Sequence, residues 1–464
     1  MSADEAGLVV VSNRLPVQRV GSAWRPSAGG LVTALRPVVA KRHTTWVGWD
    51  GGSRDLPESL PGTEARLEPV ALSRDTARGY YDGFANATLW PLFHNLVGTP
   101  EYDNRWWRCY QKANAAMAEA TARVTAQPES DLVWVHDYHL MLLPQLLREQ
   151  GVTRVRYFLH IPWPAPELFS RLPWRADLLR GLLGAEVLSF HTERYRKNFV
   201  RSCGRILADE VAVRGKNIEL SDGRLVRTAA NPISIDVDEF TQDVDAPETG
   251  RKLEQLTRQF DGRHVMLGVD RLDYTKGIPE RLLAFERLLE RRPDLRGKLS
   301  LVQIAVPSRG GVRQYQQLRE QVELTTGRIN GRFTEPGQDV PVHYFHQGVP
   351  RPALLAYYQL ADQMLVTPLE DGMNLVAKEY VVVSHAGADR DGALVLSEFT
   401  GAATELREAF MCNPFDIDGT SRVMEQVLAS SPGDRRHRIQ QMARRVRRAD
   451  IHRWAAAELD TIPV

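Results

Sequence analysis

The sequence predicts an α/β protein with two doubly wound, Rossmann-like domains that face each other across a cleft. Short apolar runs alternate with segments of helical periodicity in both halves of the chain, as expected for mostly parallel sheets covered by helices. Polar residues follow many of these runs, at the sheet edge where such folds bind ligands. A chain of 464 residues is also too long for one ordinary core, and two domains of about 200 residues each fit the usual size range.

In the first half, the predicted strands bring polar residues to one edge of a sheet. Arg14 follows the first strand, Asp137 follows the third, and His160 ends the fourth, so each is a candidate for contact with a ligand. The predicted strands are Leu8 to Val11, Thr44 to Trp49, Asp131 to His136, Val155 to His160 and Leu225 to Ala230, with further strand and helix segments between Val187 and Leu207.

Two glycines open the first predicted helix. The segment Ala28-Gly29-Gly30 precedes LVTALRPVVAK, in which Pro37 is expected to end or kink the helix. Paired glycines allow a backbone to approach a ligand closely, although a flexible turn has the same signature.

An aromatic-rich region follows the second predicted strand. Its members are Tyr80, Tyr81, Phe84, Trp90, Phe93, Trp106 and Trp107. We expect about three in four of them to lie in the core. Because sugars bind on aromatic faces, Tyr81 and Trp90 remain candidates for a binding site.

We place the connection between the domains in residues 231–250, which contain prolines and acidic residues with little periodicity. The predicted boundaries are 1–235 for the first domain, 236–450 for the second, and 451–464 for a C-terminal helix that packs back on the first domain. The predicted strands of the second domain are Val265 to Val269, Leu299 to Val306, His343 to His346, Leu365 to Leu369 and Gly392 to Phe399.

A pair of basic residues follows the first strand of the second domain. Arg271 and Lys276 stand on either side of a turn, before a helix that starts near Pro279. The two side chains are expected to face solvent and to converge on one diphosphate, the arginine as a fork and the lysine as a point charge.

Residues 366–381, VTPLEDGMNLVAKEYV, read as the end of a strand, an acidic turn and a helix. The amides from Gly372 to Leu375 would lie at a helix N-terminus, which favours an anion such as phosphate. Asp371 and Glu379 lie about two helical turns apart. In a ligand whose central anionic group joins two sugars, each carboxylate could therefore bind a hydroxyl of one sugar. The alternative is a βα unit in which Asp371 merely caps the helix.

Metal and nucleotide motifs are weak in this sequence. His136 and His139 lack a convincing third ligand, so hydrogen-bonded structural roles are favoured. The DxD pattern at Asp236-Val237-Asp238 is interpreted as a solvated acidic loop. No GxGxxG follows a strand and no GxxxxGK[ST] occurs, so a nucleotide-sugar transferase without a metal or other cofactor fits best.

Composition excludes several classes of protein. Hydrophobic residues make up 43% and charged residues 25%, and 59 Lys plus Arg balance 58 Asp plus Glu, so no global charge indicates a nucleic-acid or membrane partner. The basic helix at Arg435 to Arg448 is interpreted as a solvated face. Cys109, Cys203 and Cys412 form no CxxC motif, and the N-terminus resembles no signal peptide, so we predict a cytoplasmic protein. The sequence allows a homo-oligomer without predicting one.

Nine motifs in this order are highly specific: VVVSNRLPV, AGGLV, LWPLFH, VWVHDYHL, FLHIPWP, VDRLDYTKG, QIAVPSR, VTPLEDGMNLVAKEYV and LSEFTGAA. Over nearly its full length the chain resembles the trehalose-6-phosphate synthases, retaining GT-B glycosyltransferases of family 20. The resemblance implies small-molecule substrates: glucose would pass from a nucleoside-diphosphate glucose to glucose 6-phosphate.

The resemblance also implies roles for individual residues. The positions implied for the acceptor site are Arg14, Trp49, Tyr81, Trp90, Asp137 and Arg309. The positions implied for the donor site are Gly30, His160, Arg271, Lys276, Asp371, Gly372, Met373, Asn374, Leu375, Val376 and Glu379. Those implied to be catalytic are Arg271, Lys276, Asp137, His160 and Asp371. Asp371 would contact glucose hydroxyls, and Glu379 would bind the ribose diol.

The resemblance implies a mechanism without a carboxylate nucleophile. Retaining hydrolases use a pair of carboxylates, and no convincing pair occurs here. In the family the reaction is thought to proceed on one face of the sugar, with the leaving phosphate accepting the proton of the acceptor.

Three questions stay open at the level of sequence. Many relatives carry a bulkier residue at the position of Gly348, so room for a purine would make GDP-glucose an alternative to UDP-glucose. The acceptor could instead be a pseudo-sugar phosphate or glycerol 3-phosphate. A noncatalytic sugar-phosphate sensor is the alternative from a different class.

Overall fold

A computed structural model describes residues 7–27, 30–40, 42–53, 55–96, 100–308, 313–387 and 391–459. The chain divides into two compact units. Unit 1 combines the chain up to Ile233 with the segment from His452, and unit 2 is Ser234–Ile451. Each unit is built on a mostly parallel sheet with helices, which confirms the predicted fold class.

The strands of unit 1 are β1 (Leu8–Arg14), β2 (Val17–Val20), β3 (Ala23–Pro26), β4 (Thr44–Trp49), β5 (Arg66–Val70), β6 (Leu132–His136), β7 (Val155–Leu159), β8 (Val187–Phe190), β9 (Val211–Arg214), β10 (Asn217–Leu220) and β11 (Leu225–Ala230). Its helices before the crossing to unit 2 are α1 (Gly30–Val39), α2 (Arg74–Ala77), α3 (Trp90–Phe93), α4 (Asn104–Val124), α5 (Leu143–Glu149), α6 (Pro166–Phe169), α7 (Arg175–Leu182) and α8 (Glu193–Ile206).

One sheet organises the described part of unit 1. Its strand order is β5-β4-β1-β6-β7-β8-β11-β10-β9, parallel from β5 to β11 and antiparallel at β10 and β9. The central strands are continuous apolar runs, and Val10, Trp134 and Phe158 are fully buried. The carboxyl ends of β4, β1, β6 and β7 are therefore neighbours.

A π-helix at Arg78–Leu89 links α2 to α3 and carries much of the aromatic region. A Cβ added at Gly83 would lie 2.5 Å from Cγ of Trp106, so only glycine lets this helix approach α4 so closely. The aromatic side chains buried in the core are Tyr80, Phe84, Trp90, Phe93 and Trp107, in line with the expected share, whereas Tyr81 and Trp106 are half-buried.

The strands of unit 2 are β12 (His264–Arg271), β13 (Leu299–Val306), β14 (Val342–Phe345), β15 (Gln363–Val366), β16 (Ala393–Ser397) and β17 (Phe410–Cys412). Its helices are α9 (Val237–Val244), α10 (Pro247–Gln259), α11 (Ile278–Arg291), α12 (Arg313–Phe333), α13 (Arg351–Leu360), α14 (Leu375–Ala386), α15 (Ile417–Ala429) and α16 (Pro432–Arg448). In the described residues these strands form a parallel sheet in the order β14-β13-β12-β15-β16-β17. The neighbours β12 and β15 both lead into candidate site residues.

The last helix, α17 (Ile451–Leu459), belongs to unit 1 from His452 onward. The Trp454 ring packs against Trp134 and Phe158, with centroids 5.2 and 5.1 Å away. The Asn231 amide donates to the Trp454 carbonyl at 3.2 Å and to Glu458 Oε1 at 2.8 Å. These aromatic contacts and hydrogen bonds fix α17 on the unit that the chain left at residue 233.

One local prediction is wrong, and another is contradicted in part. The acidic segment at Asp236 and Asp238 is not a loop but the start of α9, because the Asp236 carboxylate accepts a hydrogen bond from the Glu239 amide and caps the helix. Pro37 was expected to end or kink α1, and it does not end it, because a proline removes only its own backbone donor and α1 continues to Val39. Among the described helices, none has the length and apolar character that a bilayer crossing requires.

Candidate functional site

The carboxyl edge of the unit 1 sheet brings together three predicted acceptor residues. Arg14 ends β1 opposite Trp49 of β4, and its guanidinium lies 4.6 Å from the centre of the indole. Tyr81, on the π-helix, has its ring 6.3 Å from Trp49. A cation and two aromatic faces at one edge suit a sugar that carries an anionic group.

Asp137 follows β6 with φ of 77°, a left-handed conformation that costs energy in a residue other than glycine. Its amide donates to Phe158 O at 2.8 Å, and its carbonyl accepts bonds from the Tyr157 hydroxyl at 2.8 Å and from the Leu140 amide at 3.1 Å. Its Oδ1 accepts a bond from the His160 amide at 3.3 Å. The strained turn therefore fixes Asp137 and His160, the predicted catalytic pair of this unit, beside each other.

Other predicted residues of unit 1 lie less directly at this edge. Trp90 is only 5% exposed and packs on Tyr138 at 5.6 Å, so in this structure it is a core side chain. Gly30 is the first residue of α1. Arg309, Ala28 and Gly29 lie outside the described residues, and the predictions for them stay predictions.

His136 and His139, which flank Asp137 in the sequence, contact different residues. His139 stacks on Tyr81, with centroids 5.8 Å apart and planes inclined by 12°. His136 lies within hydrogen-bond distance of His160, as the structural interpretation of this residue predicts. Across the described ranges, no group of three or more His, Cys, Asp or Glu residues is arranged to hold a metal ion. A metal-independent reaction stays a prediction.

In unit 2, Lys276 forms an ion pair with Asp371, with Nζ 2.6 Å from Oδ2. Lys276 belongs to the short helical turn after β12, and Asp371 lies in the turn after β15, so adjacent strands bring the two residues together. The expectation that Lys276 faces solvent is wrong: the residue is 9% exposed because the segment after β15 covers it. Arg271, at the end of β12, is exposed as expected.

The turn after β15 places backbone amides beside this ion pair. Asn374, with φ of 76°, is the N-cap of α14, and its side chain accepts a bond from the Ala377 amide at 3.2 Å. Asp371 is therefore not the cap; its Oδ2 accepts a second bond from Asn374 Nδ2 at 3.0 Å. Leu375 and Val376 begin the helix, so their amides have no intrahelical acceptor, and Gly372 and Met373 lead directly into this N-terminus.

Glu379 lies one turn into α14, and its Oε2 accepts a hydrogen bond from the Tyr358 hydroxyl of α13 at 2.9 Å. Burial raises the pKa of Glu379, while the bond from Tyr358 opposes that rise. Gly348 precedes α13 and is exposed, and a Cβ added there would have Val306 Cγ1 as its nearest neighbour, at 3.9 Å. A Cβ at this position would therefore make only an ordinary van der Waals contact.

Sequence reasoning missed two residues that hold site side chains. Tyr358 orients Glu379, and Asn374 caps α14 while also bonding to Asp371. The capping role of Asn374 had a signal, since asparagine is a favoured cap and tolerates a left-handed backbone. No local pattern marks Tyr358, because its contact depends on how α13 packs on α14.

Comparison with known proteins agrees with this arrangement. The model of glycosyltransferase family 20 matches residues 6–463. The chain is 44% identical to the trehalose-6-phosphate synthase of Mycolicibacterium smegmatis over 98% of this chain and 92% of that protein. It is 44% identical to the one of Mycobacterium avium, over 99% of this chain and 96% of that protein.

Solved structures give the same result. The structure of an E. coli protein bound with UDP-2-fluoro glucose matches with a TM-score of 0.89 and 36% identity. The match covers 99% of this chain and 100% of that chain. The UDP-forming α,α-trehalose-phosphate synthase of Burkholderia xenovorans in complex with glucose-6-phosphate has a TM-score of 0.87 and 35% identity, over 98% of this chain and 99% of that chain. The chain therefore belongs to glycosyltransferase family 20, and it is a glycosyltransferase of the α/β GT-B fold.

Proposed function

We propose that this glycosyltransferase moves glucose from a nucleoside-diphosphate glucose to glucose 6-phosphate, giving α,α-trehalose 6-phosphate with retention at the transferred carbon. The observation that carries the proposal is the ion pair between Lys276 and Asp371, directly before the N-terminus of α14. A cation and free amides for the diphosphate stand next to a carboxylate for the sugar, which is the set that a nucleotide-sugar donor requires.

The reaction needs charge stabilisation at the leaving group. As the bond from the anomeric carbon to the donor phosphate breaks, negative charge grows on the diphosphate and the sugar gains oxocarbenium character. Lys276, Arg271 and the amides from Gly372 to Val376 would stabilise that charge. The departing phosphate oxygen takes the proton of the acceptor hydroxyl, and that hydroxyl oxygen forms the new bond to the anomeric carbon on the same face. No metal or other cofactor is required.

The acceptor half of the proposal rests on unit 1. Arg14 and Tyr81 would bind the acceptor phosphate, with Trp49 beneath the sugar and Asp137 facing its hydroxyls. The relative from Burkholderia xenovorans was solved with glucose-6-phosphate, in support of this acceptor. The acceptor role of Arg309 is proposed from the resemblance alone. A cytoplasmic location is in keeping with these substrates and with the free cysteines Cys109, Cys203 and Cys412.

The donor base is the finer part of the proposal. Relatives from Burkholderia are named as UDP-forming, which favours UDP-glucose. The lack of a side chain at the exposed Gly348 favours room for a purine and keeps GDP-glucose as the second candidate. A kcat/KM for GDP-glucose above that for UDP-glucose would support the purine, and equal values or a clear preference for UDP-glucose would contradict it.

Product analysis tests the whole proposal. The protein is mixed with glucose 6-phosphate and with UDP-, GDP- or ADP-glucose in turn, and the products are separated and identified by mass spectrometry and NMR. We expect a phosphorylated α,α-linked disaccharide from at least one donor. If product forms only with a pseudo-sugar phosphate or glycerol 3-phosphate, that compound and not glucose 6-phosphate is the acceptor. If no combination gives product, a noncatalytic sensor is favoured.

A further inference from the structure

His136 is a buried histidine. Among the described residues, its ring nitrogens have one hydrogen-bond contact, which is with His160, a proposed donor residue. His136 ends β6 and is 0% exposed. Its Nδ1 lies 3.0 Å from Nε2 of His160. Its other nitrogen, Nε2, is buried and has no hydrogen-bond partner among the described residues.

Two neutral rings at this distance share one proton along the line that joins them. In one arrangement His136 donates from Nδ1 and its Nε2 is an unpaired acceptor. In the other arrangement His160 donates from Nε2, and the proton of His136 must then lie on its buried, unpaired Nε2. Because buried N–H groups without a partner are the rarer and costlier defect, the first arrangement is favoured.

The rest of His160 is held independently of this bond. Its amide donates to Asp137 Oδ1 at 3.3 Å, and its carbonyl lies 3.2 Å from Nε2 of His191. The Ile233 amide donates to His191 Nδ1 at 3.4 Å, so His191 carries its proton on Nε2 and donates to the carbonyl of His160. The backbone of His160 is thus fixed on both sides, and the orientation and proton position of its ring depend on His136.

We propose that His136 is a positioning residue that holds His160 as the tautomer with its proton on Nδ1, so that the His160 ring offers an N–H donor to a hydroxyl of the donor sugar. Since Nε2 of His160 is already bonded to His136, a ligand can reach the ring only at Nδ1. The tautomer follows from the structure alone, whereas the role toward the sugar rests on the proposed function.

Burial keeps both rings neutral, as this arrangement requires. It lowers the pKa of His136, with His160 as a second cause, and it lowers the pKa of His160, with His191 as a second cause. The His160 ring lies between those of His136 and His191, with centroids 5.3 and 5.5 Å away, and the Asp137 carboxylate accepts the bond from the His160 amide.

The tautomer is tested by NMR on the free protein with 15N-labelled histidine. Long-range proton–nitrogen correlations distinguish a protonated Nδ1 from a protonated Nε2 in each ring, and the His136→Asn and His160→Asn spectra assign the signals. We expect both His136 and His160 to carry the proton on Nδ1. A proton on Nε2 of His160 would overturn the proposal.

Kinetics test the positioning role. His136→Phe removes the bond to His160, and we expect kcat/KM for the donor to fall about tenfold, the size of one hydrogen bond, with KM for glucose 6-phosphate unchanged. His136→Asn keeps a donor close to the position of Nδ1 and should restore most of the loss. Equal losses toward both substrates, or no rescue by asparagine, would show a merely structural residue.

The outcomes separate the two proposals. If the wild-type protein makes no disaccharide phosphate with any donor, the proposed function fails, and the NMR spectra still decide the tautomer. Circular dichroism shows whether His136→Phe folds. If it does not, the wild-type NMR spectra and the kinetics of His136→Asn provide the test. We expect near-wild-type donor kinetics for His136→Asn, and an equal loss toward both substrates would contradict the proposal.

Discussion

At the scale of residues, the proposed donor site contains a nearly buried ion pair. Lys276 and Asp371 bond to each other, and Asp371 is bonded a second time by Asn374. Each partner is nearly buried, so the pair is shielded from solvent and keeps its geometry better than an exposed ion pair would. In the proposed reaction, the Lys276 cation would therefore be held in position for the diphosphate, which is what electrostatic catalysis requires.

Lys276→Met removes this charge and keeps most of the buried aliphatic stem. We expect kcat to fall by at least about 100-fold, since a preorganised charge at a leaving group contributes roughly 3 kcal/mol to the barrier. Steady-state kinetics with saturating glucose 6-phosphate provide the measurement. Lys252→Met, at an exposed lysine of α10, is the matched control and should leave turnover unchanged. A folded Lys276→Met enzyme with near-normal turnover would remove Lys276 from the mechanism.

Tyr358→Phe deletes the hydroxyl that bonds to Glu379. One hydrogen bond is worth about 1 kcal/mol, so we expect KM for the donor to rise roughly fivefold while kcat stays within about twofold. The matched control is Tyr357→Phe, at the neighbouring buried tyrosine of the same helix. An unchanged donor KM in Tyr358→Phe would show that the bond from Tyr358 to Glu379 does not contribute to donor binding.

At the scale of elements, the connection between β12 and α11 depends on one glycine. Gly277 has φ of 62°, and a Cβ added there would lie 2.2 Å from the Thr367 carbonyl oxygen. The two segments are also joined by a bond from the Leu369 amide to the Thr275 carbonyl at 2.8 Å. Close backbone contact at this point is what brings Lys276 and Asp371 within reach of each other.

Gly277→Ala should therefore damage both stability and activity. The left-handed backbone alone costs a residue with a Cβ about 1–2 kcal/mol, and the contact with Thr367 adds to that. We expect a clear drop in the free energy of unfolding, measured by urea titration. Gly250→Ala, in the first turn of α10 with open space around it, should instead stabilise the protein by up to about 1 kcal/mol. Equal effects of the two changes would contradict the role of Gly277.

The elements also show what the sequence could predict. The central strands are recognisable because continuous apolar runs such as Leu8 to Val11 are typical of buried parallel strands. The start of α9 was predictable in principle, since Asp236 precedes Val237, Phe240 and Val244 at helical spacing, but the acidic composition favoured a linker. The π-helix has no sequence signature, because its wider turns arise from packing against α4.

The site follows the same division. The motifs identify Lys276 and Asp371 individually, yet the bond between them depends on β12 lying next to β15 in the sheet. The contact of Tyr358 with Glu379 likewise depends on the packing of α13 against α14. The identity of individual site residues was predictable from the sequence. The contacts between pairs of them could be seen only in the folded structure.

At the scale of the whole molecule, the stability of unit 1 depends on a buried carboxyl group in α17. Burial raises the pKa of Glu458 to about 7, although hydrogen bonds from Asn231 and Ser189 oppose the rise. The ordinary value is 4.5, so between that pH and about 7 the folded state binds more protons than the unfolded state. The contribution of Glu458 is therefore fully present below that range and is lost as the pH rises through about 7.

Glu458→Gln removes this titration and preserves an acceptor for Asn231. We expect the difference in unfolding free energy, wild type minus variant, to fall by about 1.4 kcal/mol for each unit of the pKa shift as the pH rises from 4.5 to 7.5. Thermal and urea unfolding across this range provide the measurement. His136 and His160 contribute in the opposite direction, because burial lowers their pKa, but they are present in both proteins and cancel.

Glu129→Gln, at an exposed carboxyl group of unit 1, is the control. It should leave the pH dependence of stability as it is in the wild type. A constant difference between wild type and Glu458→Gln over the whole range would mean that Glu458 titrates alike in the folded and unfolded states.

The docking of α17 has a consequence for the order in which the protein can be made. A ribosome completes residues 7–233 long before it reaches Trp454, and all of unit 2 is synthesised in between. During that interval Trp134 and Phe158 lack the indole that covers them, and Asn231 lacks both acceptors in α17. Unit 1 therefore cannot complete its folding until α17 has been synthesised, and until then its aromatic surface is accessible to chaperones. Unit 2, which follows it in the chain, can complete its folding earlier.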